Sequence, residues 1–219
     1  MERSEWLKER RRIIEERYDT LWAPIYDDDW GASIAPSHQR MFARYLELCP
    51  VGGWLLDAAC GTGKYLPLIL DSGRVAFALD PSRGMLDKAK AKHPQAATAK
   101  LGLQEMEFWE AFDGADCMDA MEFIFPEDWP KVLANFHRLL KPGAPFYFTV
   151  ELAEEDGIRQ AYQEGLAAGH PLMYGEWMEG EGYHYYPPLE QVREWLAQAG
   201  FTILDEATGD EYQHFLVEK

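Results

Sequence analysis

Residues 55–65 read LLDAACGTGKY: an apolar strand runs into Asp57, a loop of small residues carries Gly61 and Gly63, and a helical pattern follows. Small side chains let the backbone come close to a ligand, and the terminus of the following helix presents N–H groups that the helix itself cannot satisfy. A strand, glycine loop and helix in this order bind nucleotide-like cofactors, and they also serve as a plain tight turn that packs a helix on a strand. The next strand, VAFALD over 75–80, bears on that choice. It ends in Asp80, 23 positions after Asp57, where a carboxylate can accept hydrogen bonds from both ribose hydroxyls of an adenosine. Alone, Asp80 could simply cap the helix that begins at Ser82. Both features at this spacing favour the ligand.

Outward from this run, short apolar stretches alternate with helical patterns, the signature of a parallel sheet covered on both faces. The sequence predicts strands at Trp54–Asp57, Val75–Asp80, Ala97–Leu101, Ala115–Met118 and Pro145–Glu151, with helices at Lys64–Ser72, Ser82–Lys92 and Asp128–Leu140. Upstream, Trp6, Leu7, Ile13, Ile14, Tyr18, Leu21 and Trp22 recur at helical spacing and predict one helix from Ser4 to Trp22. Tyr26–Gly31 reads as an aromatic and acidic loop, and Ser37–Leu48 as a helix capped by Ser37. Downstream, residues 152–188 break into a Gly-rich, aromatic segment after a helix-like piece around Ile158–Ala168, and so long an irregular stretch is usually functional. A last helix, Leu189–Ala199, precedes two strands, Phe201–Ala207 and Glu211–Val217, joined through Thr208-Gly209-Asp210 as an antiparallel hairpin.

Composition narrows the function. A chain of 219 residues can bury one substantial core. No apolar run approaches a membrane span, and the charged beginning is unlike a secretory signal, so the expected location is cytoplasmic. Cys49, Cys60 and Cys117 lack metal or redox spacing and read as reduced structural residues. A net charge of −17 repels phosphate backbones, so no nucleic-acid partner is expected.

The segment 57–63, Asp-Ala-Ala-Cys-Gly-Thr-Gly, resembles the first motif of the class I S-adenosylmethionine-dependent methyltransferases, in particular their small-molecule branch. Asp80-Pro81-Ser82 with Met85-Leu86 resembles the second motif. Gln104-Glu105-Met106 falls where the family contacts adenine, residues 112–122 resemble the fourth-strand motif, and Leu139–Gly143 the turn before strand five. The likeness covers nearly the whole chain and departs at Ala59, where the family has its first glycine. The dehydrogenase pattern G-x-G-x-x-G fails, because Lys64, Tyr65 and Leu66 follow Gly63, which disfavours NAD.

The resemblance implies a Rossmann-like, seven-stranded, mostly parallel sheet with an antiparallel last strand in a three-layer α/β/α sandwich. It implies one domain over 1–219: an N-terminal helical cap (1–50), a cofactor-binding core (51–151), a substrate lid (152–188) and a terminal helix and hairpin (189–219). The implied cofactor is S-adenosylmethionine, with its methionine part at Ala59, Gly61 and Gly63 near Asp57, its ribose at Asp80, its adenine at Gln104, Glu105 and Met106, and Asp119 and Ala120 beside the sulfonium. Pro81 and Met85 belong to the same expected set.

Electron-rich rings attract a sulfonium, so Tyr18, Tyr26 and Trp30 are candidates to close over it. Tyr18 also reads as a packing partner of Trp22, four residues on, and Tyr26 and Trp30 as surface packing. On the acceptor side, Glu122 is read either as a carboxylate in the crevice at a central strand end or as a helix-terminal residue with no chemical task. His184 is the histidine candidate for a general base, with an exposed loop histidine as the alternative; His38 and His170 rank below it. The triplet Asp27-Asp28-Asp29 reads as solvated, and no metal is expected. The expected activity is methyl transfer to a small-molecule acceptor by a monomer or homodimer, beside the alternative of a non-catalytic regulatory protein that binds the same cofactor.

Overall fold

The computed structural model describes residues 2–31 and 33–219. In chain order the elements are α1 (Arg3–Arg17), α2 (Tyr26–Trp30), α3 (Pro36–Leu48), β1 (Trp54–Ala58), α4 (Leu66–Asp71), β2 (Val75–Asp80), α5 (Arg83–Lys92), β3 (Ala97–Lys100), β4 (Gly114–Cys117), α6 (Trp129–Leu139), β5 (Pro145–Glu151), α7 (Glu155–Ala167), β6 (Glu176–Glu179), β7 (Gly182–Tyr185), α8 (Leu189–Ala199), β8 (Thr202–Gly209) and β9 (Tyr212–Glu218). Seven strands form one sheet in the order β3-β2-β1-β4-β5-β9-β8, with β1 to β5 parallel and β9 antiparallel to both its neighbours.

Strand alternation sends successive side chains to opposite faces, and both faces here are apolar. Leu56, Phe146 and Phe148 pack under Trp129, Leu133 and Phe136 of α6 and Val192 and Leu196 of α8. Leu55, Ala78 and Tyr147 face the other way, against Phe42 and Tyr45 of α3, Ile69 of α4 and Leu86 of α5. This is the expected three-layer sandwich. The strand order reverses between β1 and β4, which opens a crevice at their C-terminal ends. Among the described residues no helix is long and apolar enough to cross a membrane.

Four expectations differ from the structure. The first helix is α-helical only to Arg17 and widens to a π turn over Tyr18–Trp22, where the Thr20 hydroxyl donates to the Glu16 carbonyl at 2.7 Å. Tyr26–Trp30 is a short helix rather than a loop. Ser37 does not cap α3: Ala35 holds that position, Pro36 starts the helix, and Ser37 is turned inward to Asp210 and His214. The segment 152–188 holds the expected helical piece as α7, but its Gly-rich remainder forms a two-stranded hairpin, β6–β7, rather than an irregular stretch. Gly175 and Gly180, which read as irregularity, instead take positive φ in the turns that bound these strands, and Gly182 begins β7.

Arg3 fastens α1 to that hairpin. Its guanidinium donates to both oxygens of Glu176 at 2.8 and 2.9 Å, and Glu176, fully buried on β6, also accepts from the Tyr183 hydroxyl at 2.7 Å. Removing the cation strands a buried carboxylate. Arg3→Ala should therefore cost about 2 kcal/mol, discounted for the arginine's partial exposure. The expected readings are a lower denaturant midpoint and faster amide exchange across β6 and β7.

Candidate functional site

The loop leaving β1 sets the site. Ala59 takes φ +59° and Gly61 and Gly63 take +53° and +81°, so the chain turns sharply and exposes its backbone to the crevice. For Ala59 this conformation costs about 1 kcal/mol, which a glycine would avoid. No atom lies within 4 Å of where a side chain on Gly61 would begin, so its backbone faces open space. The loop is tied to the second strand by the Gly61 N–H, which donates to Asp80 Oδ2 at 2.9 Å, while Ser82 N–H donates to Oδ1 at 2.8 Å. The helix-capping reading of Asp80 is realised by Ser82 instead, whose hydroxyl accepts from Met85 N–H.

A cavity of about 410 Å³ opens along these loops, lined by Asp57, Ala59, Gly61, Asp80, Pro81, Met85, Gln104, Glu105, Asp119 and Ala120, and roofed by Tyr18 and Tyr26. Gln104 and Glu105 sit on a short turn whose carbonyls at 103 and 104 accept from the buried Asn135 amide. Burial pushes the Asp80 carboxyl up to about 6, against the pull of the Ser82 and Gly61 N–H groups.

Two aspartates hold the N-terminal rings over this cavity. Asp19, in the π turn, accepts from the Ser82 hydroxyl at 2.5 Å and the Gly84 N–H at 2.9 Å, and Gly84 lies so close to the Asp19 backbone that any side chain there would collide. Asp27 accepts from the Thr62 hydroxyl at 2.5 Å and Lys92 Nζ at 2.8 Å, which corrects its reading as merely solvated. Among the described residues no cluster suited to a metal ion is present.

A second chamber of about 710 Å³ adjoins the first and shares Tyr18, Tyr26, Lys64, Asp119 and Phe123 with it. Its far wall is the β6–β7 hairpin, through Trp177, Glu179, Glu181, Tyr183, His184 and Tyr186. Glu122 lies on its floor, 4% exposed, with Oε2 unpartnered. Burial, then the charges of Glu151 and Asp119, push its pKa well above the usual carboxylate range. His184 Nδ1 lies 2.9 Å from Glu151 Oε2 and 3.0 Å from the Tyr186 hydroxyl.

Asp119, at the junction of the two spaces, is the most constrained group. It adopts φ +52°, its N–H donates to Thr149 Oγ1 at 2.8 Å, and its carboxylate contacts His38 Nε2 at 2.9 Å and the Tyr65 hydroxyl at 3.1 Å. Burial would raise its pKa, but the His38 contact, Lys64 and Tyr65 outweigh it and hold the group below its usual range.

The structure thus gathers most of the residues singled out in the sequence, in two spaces rather than one. Trp30, Glu122 and His184 line the second chamber only. Gly63 and Met106 line neither: Gly63 is crowded by Leu66, His93 and Ala89, and Met106 is buried in the core. Tyr18 does not pair with Trp22. Its ring meets Phe123 edge-on at 5.5 Å while Trp22 packs on Trp30, because the π turn breaks the four-residue spacing. Sequence reasoning missed Tyr65, Lys64, Glu151 and Tyr212 and ranked His38 low. His38 stands 81 positions from Asp119, and no local pattern links them.

The profile of a family described as a methyltransferase domain matches residues 31–206. A malonyl-[acyl-carrier protein] O-methyltransferase from Hamiltonella defensa subsp. Acyrthosiphon pisum is 35% identical over 114 residues, 51% of this chain and 43% of that protein, so the match spans less than half of that relative's length. Among solved structures, Burkholderia thailandensis 1,6-didemethyltoxoflavin-N1-methyltransferase, with 1,6-didemethyltoxoflavin and S-adenosylhomocysteine bound, superposes with a TM-score of 0.71 at 17% identity over 100% of this chain and 91% of its own. The magnesium protoporphyrin IX methyltransferase of Synechocystis PCC 6803, with bound S-adenosylhomocysteine, gives 0.68 at 16% identity, covering 95% and 98%. At these identities the structural likeness speaks for the fold.

At the wall of the first cavity Asp57 forms a carboxyl pair with Asp116 on the adjacent strand behind it. Asp57 of β1 and Asp116 of β4 are register partners, both fully buried, and both oxygens of Asp116 and Oδ2 of Asp57 lack hydrogen-bond partners. Burial, then the charge of Asp80, pushes Asp57 up to about 7; burial, then Asp57, raises Asp116 as well. An acid with a raised folded-state pKa holds its proton longer in the folded chain. Its cost is absent below the unfolded value near 4, grows as pH rises, and is complete above the folded value. Asp116→Asn should therefore stabilise the protein at pH 8 by at least about 1 kcal/mol, with the gain vanishing near pH 4. Denaturant unfolding of both proteins across that range checks the sign.

Proposed function

We propose, from the premise that this chain belongs to the methyltransferase-domain family and has S-adenosylmethionine as its cofactor, that it methylates a small molecule seated in the chamber beyond Asp119. Membership follows from the family match over residues 31–206. The observation that carries the proposal is the meeting of two cavities, one at the glycine loop and one under the β6–β7 hairpin, across Asp119, Tyr18 and Tyr26.

The wall of the first cavity suits the cofactor. The bare backbone at Gly61 leaves room for the methionine part, the Asp80 carboxylate is placed for ribose hydroxyls, and the turn at Gln104 and Glu105 for adenine. When bound, S-adenosylmethionine supplies a methyl group on a sulfonium, so transfer is an in-line displacement that needs chiefly alignment and the exclusion of water. Tyr18 and Tyr26 provide electron-rich faces at the junction, and Asp119, kept ionised by His38, Lys64 and Tyr65, favours a cation there. Glu122 and His184 stand on the acceptor side, where proton removal would be handled. A net charge of −17 fits a small acceptor better than a nucleic acid. A carboxylate such as the malonyl group in the Hamiltonella relative's name would meet five carboxylates in the second chamber. A protein kept only to bind the cofactor would have no use for that chamber.

Calorimetric titration tests the reading. The protein should bind S-adenosylmethionine and S-adenosylhomocysteine, and Asp80→Ala should weaken both by about thirtyfold or more, the worth of one or two charge-assisted hydrogen bonds. An unchanged affinity in a variant with a native circular dichroism spectrum would refute the pocket assignment.

A further inference from the structure

Resting on that reading, we propose that the methyl acceptor is an amine bound as its ammonium ion and carried on an aromatic or apolar body, with the nitrogen held by Glu122 and Glu151 in the second chamber. The chamber brings together Asp119, Glu122, Glu151, Glu179 and Glu181 against the permanent cations Arg17 and Lys64. Arg17 already pairs with Glu181 at 3.1 Å, and Asp119 is committed to His38 and Tyr65. What remains at the inner end is a pair of carboxyl groups, Glu122 and Glu151, neither of which pairs with a lysine or arginine among the described residues. There Glu122 is more than nine-tenths buried, Oε2 is unpartnered, and a second carboxylate, Glu151, ends a central strand of the sheet.

A buried carboxylate without a cation is costly, and the cost falls when a cation arrives. The rest of the wall selects the same charge. Tyr18, Tyr26, Trp30, Trp177 and Tyr212 turn a largely aromatic surface toward the space, and the rings of Tyr26 and Trp30 pack at 5.2 Å as one unit. Electron-rich faces attract ammonium groups and also stack on flat apolar bodies. A volume of about 710 Å³ exceeds what a bare alkylamine fills and accommodates an arylalkylamine. An anionic acceptor would be repelled, and a neutral phenol would leave the carboxyl pair without a cation.

The transfer balances with these groups. The ammonium gives one proton to the Glu122 carboxylate, and the freed nitrogen pair forms the N–C bond as the C–S bond breaks with its electrons remaining on sulfur. The product is a methylated ammonium ion and a neutral thioether. The proton on Glu122 is then released to water as the products leave; the partly exposed His184, its ring nitrogen 2.9 Å from Glu151, lines the same chamber.

The test is calorimetry on protein saturated with S-adenosylhomocysteine, using tryptamine against neutral 3-ethylindole, tyramine against 4-ethylphenol, and indole-3-propionate as the anion. Each amine should bind about tenfold more tightly than its neutral counterpart, and the propionate should not bind. Glu122→Gln and Glu151→Gln keep shape while removing charge; each should cut the amine preference by about fivefold or more and leave S-adenosylhomocysteine affinity unchanged. Neutral partners binding as well as the amines, both amines failing to bind at millimolar concentration, or a preference that survives both substitutions would overturn the proposal. Loss of S-adenosylhomocysteine binding by the unaltered protein would instead defeat the underlying methyltransferase reading.

Discussion

Where the strand order reverses, between β1 and β4, neighbouring loops depart to opposite faces of the sheet and cannot cover the gap between them. The cavities lie at this crevice. On its β1 side the glycine loop is held to the neighbouring strand β2 by the Gly61 N–H, which donates to the Asp80 carboxylate, and the N-terminal segment lies above. The bond fixes the glycine loop to the tip of the next strand, so the loop's open backbone and the carboxylate face the same space. The roof is held by acids that reach across: Asp19 to the start of α5, and Asp27 to Thr62 and Lys92. The rings of Tyr18 and Tyr26 are thereby placed at the cavity wall by polar contacts at their neighbours and by packing on Phe123 and Trp30.

The second chamber follows from the same geometry. Residues 176–185 fold back as a two-stranded hairpin separate from the main sheet, in which β5 pairs with β4 and β9. It docks instead on α1 through Arg3 and Glu176, and on the core through Tyr183, whose ring packs on Phe125 at 4.6 Å. Alternation along β7 then buries Tyr183 and Tyr185, while the less buried His184 and Tyr186 lie beside Glu151.

Much of this architecture is legible in local features of the chain. The glycine loop, the acid at the tip of β2 and the alternation of strand and helix each depend on residues a few positions apart, and the folded chain keeps them. Tertiary features were harder to read. His38 and Asp119 lie 81 positions apart, and Asp57 meets Asp116 only because β1 and β4 are neighbours in space. Apolar spacing sets Tyr18 against Trp22, but the turn between them is a π turn, in which the Thr20 hydroxyl binds the Glu16 carbonyl, and spacing alone does not record this. Asp27 looked like one of three solvated acids because its partners, Thr62 and Lys92, belong to other elements.

The distribution of unpaired charge separates scaffold from site. Acids that join elements are paired: Asp19, Asp27, Asp113 and Asp210 accept hydrogen bonds that hold them below the usual carboxylate range, even where burial pulls the other way. Asp57, Asp80, Asp116 and Glu122, along the C-terminal ends of β1, β2 and β4, are pushed the other way by burial, and three of the four have an oxygen with no partner. A fold optimised only for stability would not collect buried carboxyls at one edge, because each raises the free energy of the native state at neutral pH. Such groups persist where a ligand relieves them. Their position, one set at and behind the wall of the first cavity and one on the floor of the second, matches a protein that brings two partners together across Asp119, at least one of them a cation.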